Sequence, residues 1–333
     1  MWRYRAGNLI GVRIGLFLLA VVLSLIPCCW AAGRETTLRV KSGESIQAAI
    51  DAAPEGASID LEAGIWEENL VIEKSLTLRG SGKGEAVLRS AREGMPVVWI
   101  WISEEEVQTV SVTLEGLSIG GAFGYDPHWP ERGAYGVLVQ DNVRVEITRC
   151  TISANRWSGI ALLDDAEVIV RESTVSENDW YGVWLWDAAT VTILDSRIST
   201  NSGGIWFQGT SSGELRGTVV SDSLWKGIWS DQSSRTSISD CRVDRNGDGG
   251  IRVGNHAHVI LSDSLIIENE GYGVGLLQST CCGAVFHGYV AGRGNVIPNP
   301  GEEGGNAIGG FFPSELEFLI TTEGGEWVGE PVY

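Results

Sequence analysis

A glycine followed by valine or isoleucine recurs at Gly136-Val137, Gly159-Ile160, Gly182-Val183, Gly204-Ile205, Gly227-Ile228, Gly250-Ile251 and Gly273-Val274, with spacings of 23, 23, 22, 23, 23 and 23. Nineteen residues after each of the first six glycines stand Asn155, Asn178, Asn201, Ser223, Asn246 and Asn269. Fourteen residues after them stand Cys150, Ser173, Ser196, Thr218, Cys241 and Ser264. Two such columns held in register over six repeats define a repeat architecture. Within a repeat the apolar residues alternate with period two, as in Val143, Val145 and Ile147, between turn residues Gly, Asn, Asp and Ser. About three short strands fill each repeat, which leaves no room for a helix. The fold class is therefore all-β, a parallel β-solenoid with coils stacked at ~4.8 Å. Parallel crossovers favour the right-handed form, and the asparagine column suits a ladder of side-chain amides running inside it.

The ends differ from the middle. Ser45 is placed to cap a short helix from Ile46 to Ala53, with Ile46, Ala49, Ile50 and Ala53 on one face and Pro54 and Gly56 stopping it. Such a helix would close the open apolar end of a solenoid over residues 38–295. From about residue 296 the repeat is lost, and 296–333 reads as a C-terminal cap or tail.

Residues 1–32 contain Arg3, Arg5 and Arg13, no acids, and an uncharged run from Ile14 to Ala32. The segment reads as a secretory signal, with Cys29-Trp30-Ala31 as the cleavage site. A retained anchor is the alternative, because about 20 uncharged residues reach across a bilayer. Pro27 argues against lipidation at Cys28. Removing the segment takes the basic residues from 24 to 21 against 43 acidic ones, a balance of −22. That charge repels nucleic acid and anionic lipid, and polyanionic sugars too unless a cation bridges them. A secreted, periplasmic or cell-surface location follows from the leader, with no membrane contact beyond it.

Residues 45–80, SIQAAIDAAPEGASIDLEAGIWEENLVIEKSLTLRG, together with the 23-residue period, resemble right-handed parallel β-helix repeat proteins of the pectin-lyase-like superfamily. That group usually shows Pro-Gly-x-Tyr-x-Glu where this chain has Ala63-Gly64-Ile65-Trp66-Glu67-Glu68. The resemblance implies the fold over roughly 38–295 and leaves function open. It raises three possibilities: polysaccharide lyase, glycoside hydrolase, and copper delivery, which one periplasmic member serves. Copper transfer would want a denser soft-ligand cluster than two Met and four His supply, with His256 and His258 alone near one turn.

With the aliphatic after each glycine pointing in, the next residue points out: Leu138, Ala161, Trp184, Trp206, Trp229, Arg252 and Gly275. Two further on, also outward, stand Gln140, Leu163, Trp186, Gln208, Asp231, Gly254 and Leu277. Trp157, Trp180 and Trp225 precede their glycines by two, and Trp99 and Trp101 extend the same wall. The insertion Gly120–Ala134 borders it with His128, Trp129 and Glu131. An apolar flank of this size binds something, or its rings simply stack on one another. Ring spacing of about one coil suits pyranose faces, and a neutral polysaccharide suits the charge. Another surface protein is the rival partner.

Three further groups are candidates for chemistry. Asp141, Asp164 and Asp187 fall five residues after successive glycines; they either form turns or share a cation such as Ca²⁺. Asp231 and Arg252 lie beside Trp229, as a surface ion pair or, by the family resemblance, as a catalytic acid and base. Polygalacturonase-like enzymes of the superfamily that this chain resembles show Gly-His-Gly, whereas this chain has Phe286-His287-Gly288, outside the regular flank. Cys150 and Cys241 share an inward column four coils apart, ~19 Å, too far to bridge. Cys281 and Cys282 point oppositely, which disfavours a vicinal disulfide.

Overall fold

The computed structural model describes residues 36–80, 82, 85–102, 109–124 and 133–277, together with the backbone of strands at Tyr289–Arg293, Gly309–Phe312 and Ile320–Thr322. Residues 1–35, on which the expected leader falls, most of the insertion, Trp129, His128, Glu131, Cys281, Cys282 and His287 lie outside the described residues. All described residues belong to one compact unit, Glu35–Tyr333.

Each coil supplies one strand to each of three parallel sheets. One coil reads Val137–Val139, then Val143–Thr148, then Thr151–Ser153, before Ile160–Leu162 starts the next. Among the described residues the three sheets hold ten, twelve and nine strands in that order. The solenoid is right-handed. Pairing preserves the sequence register: Val137 faces Ile160, Ile160 faces Val183, and Ile205 faces Ile228. The aliphatics after the glycines are fully buried. They form one continuous core with Val145, Val168 and Val191 of the second sheet and Ile152, Val175 and Ile198 of the third.

The inner polar columns are ladders. Asn178 Oδ1 accepts from both the backbone N and Nδ2 of Asn155, at 3.2 and 2.9 Å, and Asn201 serves Asn178 in the same way at 3.0 and 2.8 Å. Ser173 Oγ accepts from Cys150 N, and Ser264 Oγ from Cys241 N. Cys150 and Cys241 are buried free thiols, and burial pushes both up to about 11.

The helix α1 (Ile46–Ala52) starts at Ser45, whose hydroxyl accepts from Ala48 N at 3.1 Å. Ile46 and Ile50 turn into the core end. Gln47 bonds Val71 through both its carbonyl and its amide nitrogen, so a side chain completes the edge strand Leu70–Ile72. At the other end the parallel ladders run past residue 295. Gly309–Phe312 pairs with Tyr272–Leu277, and Ile320–Thr322 pairs with Tyr289–Arg293. Among the described residues no helix is long and apolar enough to cross a membrane.

Candidate ligand-binding flank

The outer face of the ten-stranded sheet carries the indoles. In register down the wall run Trp99, Leu138, Ala161, Trp184, Trp206, Trp229 and Arg252. Every second residue of these strands goes inward, so a core of aliphatics forces the large rings out. The wall is not uniformly open. Leu138 and Ala161 are fully buried outside the cylinder, because Tyr135 lies over them with Trp99, Trp157 and Trp184 around it. Tyr135 meets Trp157 edge-on at 5.8 Å and stacks against Trp184 at 6.1 Å.

Further down, the rings stack along the solenoid axis. Trp206 and Trp229 are 4.5 Å apart and within 7° of parallel. Tyr181 covers Trp206 at 5.0 Å from the coil above, and the Arg252 guanidinium covers Trp229 at 4.8 Å from the coil below. Both flat faces of these two indoles are occupied, so a ligand meets their edges. Tyr181 reaches Trp206 by leaning across Gly203, where any β-carbon would collide with its ring. The rings offered to solvent are Trp186 (39% exposed), set edge-on to Trp184, and Trp225 (37%), set edge-on to Trp180. Trp157 contacts Trp180 in turn at 6.4 Å. Ring contacts thus join Trp157, Trp180, Trp184, Trp186, Trp206, Trp225 and Trp229 through Tyr135 and Tyr181 into one network, while Trp99 and Trp101 stack on each other at 5.3 Å further up the wall.

Polar groups punctuate it. Trp99 donates its indole N–H to Gln140 at 2.7 Å, and Trp184 donates to Gln208 at 2.8 Å. In each case the glutamine stands one coil on and two residues along. Asp231 Oδ1 accepts from Gln232 N and Asn255 Nδ2, and no ion pair joins it to Arg252 among the described residues. Lys226, largely buried, pairs with Asp248 and lies 5.5 Å from the Trp229 ring centre. Burial raises the Tyr272 hydroxyl to about 12, with Asp248 adding and Arg252 opposing. The same causes push Tyr181 higher still. Sequence reasoning passed over Tyr181, Lys226 and Tyr272. Their signal was the column just before the glycines, where Tyr135, Ser158, Tyr181, Gly203, Lys226, Gly249 and Tyr272 alternate large and small.

A cleft of about 630 Å³ lies beside the wall, lined by Glu93, Gly124, Arg156, Trp157, Asp179 and Trp180. It adjoins the point where the insertion leaves, and Arg156 and Asp179 pair across it at 2.9 Å. A second concavity, about 370 Å³, sits on the twelve-stranded sheet among Thr190, Glu214, Arg235, His258 and Ile260. Burial first, then Arg235 and His256, lowers the His258 pKa.

Asp141, Asp164 and Asp187 occupy left-handed turn positions with φ of 62°, 59° and 55°. Asp164 Oδ2 accepts from Asp141 N, and Asp141 Oδ2 from Ile102 N, both at 3.3 Å. These carboxylates serve the backbone of the preceding coil. Among the described residues no three His, Cys, Asp or Glu side chains are grouped to hold a metal ion.

A family model described as "Right handed beta helix region" matches residues 131–290. No curated protein matches the sequence significantly. Among solved structures the chain is similar to ORF18 of Geobacillus virus E2, with TM-score 0.60, 15% identity, and 85% of this chain aligned to 58% of that one. It thus spans less than two thirds of the viral protein's length. An alginate lyase from Paenibacillus sp. str. FPU-7 aligns with TM-score 0.59 and 14% identity over 88% of this chain and 99% of that one. Pectate lyase Pel9A aligns with TM-score 0.52 and 13% identity over 88% and 79%. Identities this low speak for the fold. The coil architecture, its register and the match over residues 131–290 together show a right-handed parallel β-helix fold, shared with the two lyase structures named above.

Proposed function

We propose that this is an exported β-helix protein that recognises an extracellular or cell-envelope polysaccharide through the tryptophan wall. One observation carries the reading: a continuous aromatic network on a single sheet face, with Trp186 and Trp225 still presenting their rings to solvent. Amphipathic rings spaced by coils suit a chain of sugars, which offers apolar faces and polar rims. The similar solved structures named as alginate and pectate lyases fit a carbohydrate partner. Calorimetric titration against soluble neutral glycans tests this. Binding of at least one glycan is expected, weakened at least tenfold by Trp186→Ala combined with Trp225→Ala. Those two indoles are half-exposed, so the double variant retains its core. No glycan binding, or binding indifferent to both substitutions, overturns the reading.

A catalytic reading of the same wall rests on the gathering of Tyr181, Lys226, Asp248, Arg252 and Tyr272 at its lower edge. Asp231 lies nearby, and the fold is shared with structures named as lyases. The raised phenols stay protonated at neutral pH and are donors rather than bases. Appearance of unsaturated product or new reducing ends, lost on Arg252→Ala, would favour it over simple recognition.

A further inference from the structure

Along the wall, indole N–H groups are answered by the residue one coil on and two along. Gln140 answers Trp99 and Gln208 answers Trp184. The same position holds Asp231 below Trp206 and Gly254 below Trp229. The pattern breaks there: Trp206 Nε1 and Trp229 Nε1 are buried with no hydrogen-bond partner among the described residues, as is Arg252 Nε one coil lower. Three donors therefore stand in a row in successive coils. Gly254 does not adopt the left-handed backbone that demands glycine. Its bareness instead makes room, since a β-carbon there would lie 2.6 Å from Asp231 Oδ1 and 3.8 Å from Trp229 Nε1. Asp231 is pinned through that oxygen by Gln232 N at 2.8 Å and by Asn255 Nδ2. Its Oδ2 makes no hydrogen bond among the described residues.

We infer that this notch, formed by Trp206, Trp229, Asp231, Arg252 and Gly254, is the hydroxyl-reading subsite of the wall and selects neutral sugars. The inference rests on the proposed glycan-binding role of the flank. A sugar hydroxyl is both donor and acceptor. It can accept from the Trp229 N–H and donate to the free Asp231 oxygen, and a neighbouring hydroxyl can accept from Trp206 or Arg252. A buried donor left unmet is costly, so the site discriminates strongly between a ligand bearing that hydroxyl and one lacking it. A uronate presenting a carboxylate here would meet the fixed Asp231 charge and lose the donor that Asp231 needs. The selectivity is thus for neutral polyhydroxylated rings, although the fold is shared with structures named as lyases of alginate and pectate.

Gly254→Gln places at this position the residue that answers the indole elsewhere on the wall, filling the notch from within. Asp231→Asn keeps the shape and the pinned oxygen but turns the free acceptor into a donor. Calorimetry would use β-glucan, xylan and mannan oligosaccharides alongside alginate and polygalacturonate, with thermal melting as the folding control. The wild type is expected to bind a neutral oligosaccharide at least tenfold more tightly than either polyuronate. Both variants should lose at least tenfold for the neutral ligand; Gly254→Gln, whose β-carbon must displace Asp231 Oδ1, is expected to melt below the wild type, and Asp231→Asn near it. If Gly254→Gln fails to fold, Asp231→Asn alone decides. Unchanged neutral binding in the folded variants, or tighter binding of a polyuronate, overturns the inference. If Trp186→Ala with Trp225→Ala abolishes binding and the notch variants do not, the wall stands and the notch falls. If the wild type binds none of the five, both fall.

Discussion

Three residues in each coil from Asp141 to Glu268 sit in the left-handed backbone region, one at each corner. Asp141, Arg149 and Ala154 begin the series, and Asn255, Asp263 and Glu268 end it. Asp and Asn tolerate this conformation through local hydrogen bonds, and Gly209 and Gly217 adopt it freely. Thr200, at φ 60°, has neither advantage and is branched at Cβ. The left-handed position costs about 1–2 kcal/mol for a residue with a side chain. A glycine there costs about 0.5–1 kcal/mol in unfolded-state entropy. Thr200→Gly is therefore expected to stabilise by about 0.5–1 kcal/mol, read as a higher denaturation midpoint; a lower midpoint would contradict the corner geometry. The aspartate column was visible in the sequence, and its turn role was one of two readings left open there. The backbone N–H groups it serves belong to the coil before, and only stacked coordinates display them.

At the scale of the coil and sheet, the asparagine ladder ties successive turns together, and Ser223 interrupts it. Asn201 receives no side-chain amide from below, and Ser223 Oγ is buried without a partner among the described residues. Asn178→Ala leaves two buried donors of Asn155 unmet and should cost about 2–4 kcal/mol. Ser223→Asn should extend the ladder by one rung and stabilise by about 0.5–1.5 kcal/mol. Chemical denaturation of both checks the pair, and equal effects would refute a ladder that acts rung by rung. The period made the ladder, the capping helix and the inward aliphatics legible from sequence, because a strict repeat fixes which residues share a column. The leaning of Tyr181 over Gly203, and the burial of Leu138 under Tyr135, were not legible. A side chain's direction along the axis depends on the bulk of its neighbours one coil away, and that is a property of the stack.

Among the described residues of the solenoid unit the apolar load is carried in two places, the interior and one outer wall. The balance of 24 basic against 43 acidic residues disfavours polyanions and leaves the wall, where Lys226 and Arg252 lie against Trp229, as the part suited to the large uncharged partner proposed. The outward placement of the tryptophans was legible in the alternation around each glycine. The occupation of both faces of Trp206 and Trp229 was not, and it moves the expected sugar contact to their edges and to Trp186 and Trp225. The most direct measurement is a crystal structure of the protein soaked with the best-bound neutral oligosaccharide from the calorimetric panel. The account predicts sugar density along the ten-stranded sheet, against Trp186 and in the notch at Gly254 beside Asp231. Sugar lodged instead on the twelve-stranded sheet among Thr190, Arg235 and His258, with the tryptophan wall bare, would contradict it.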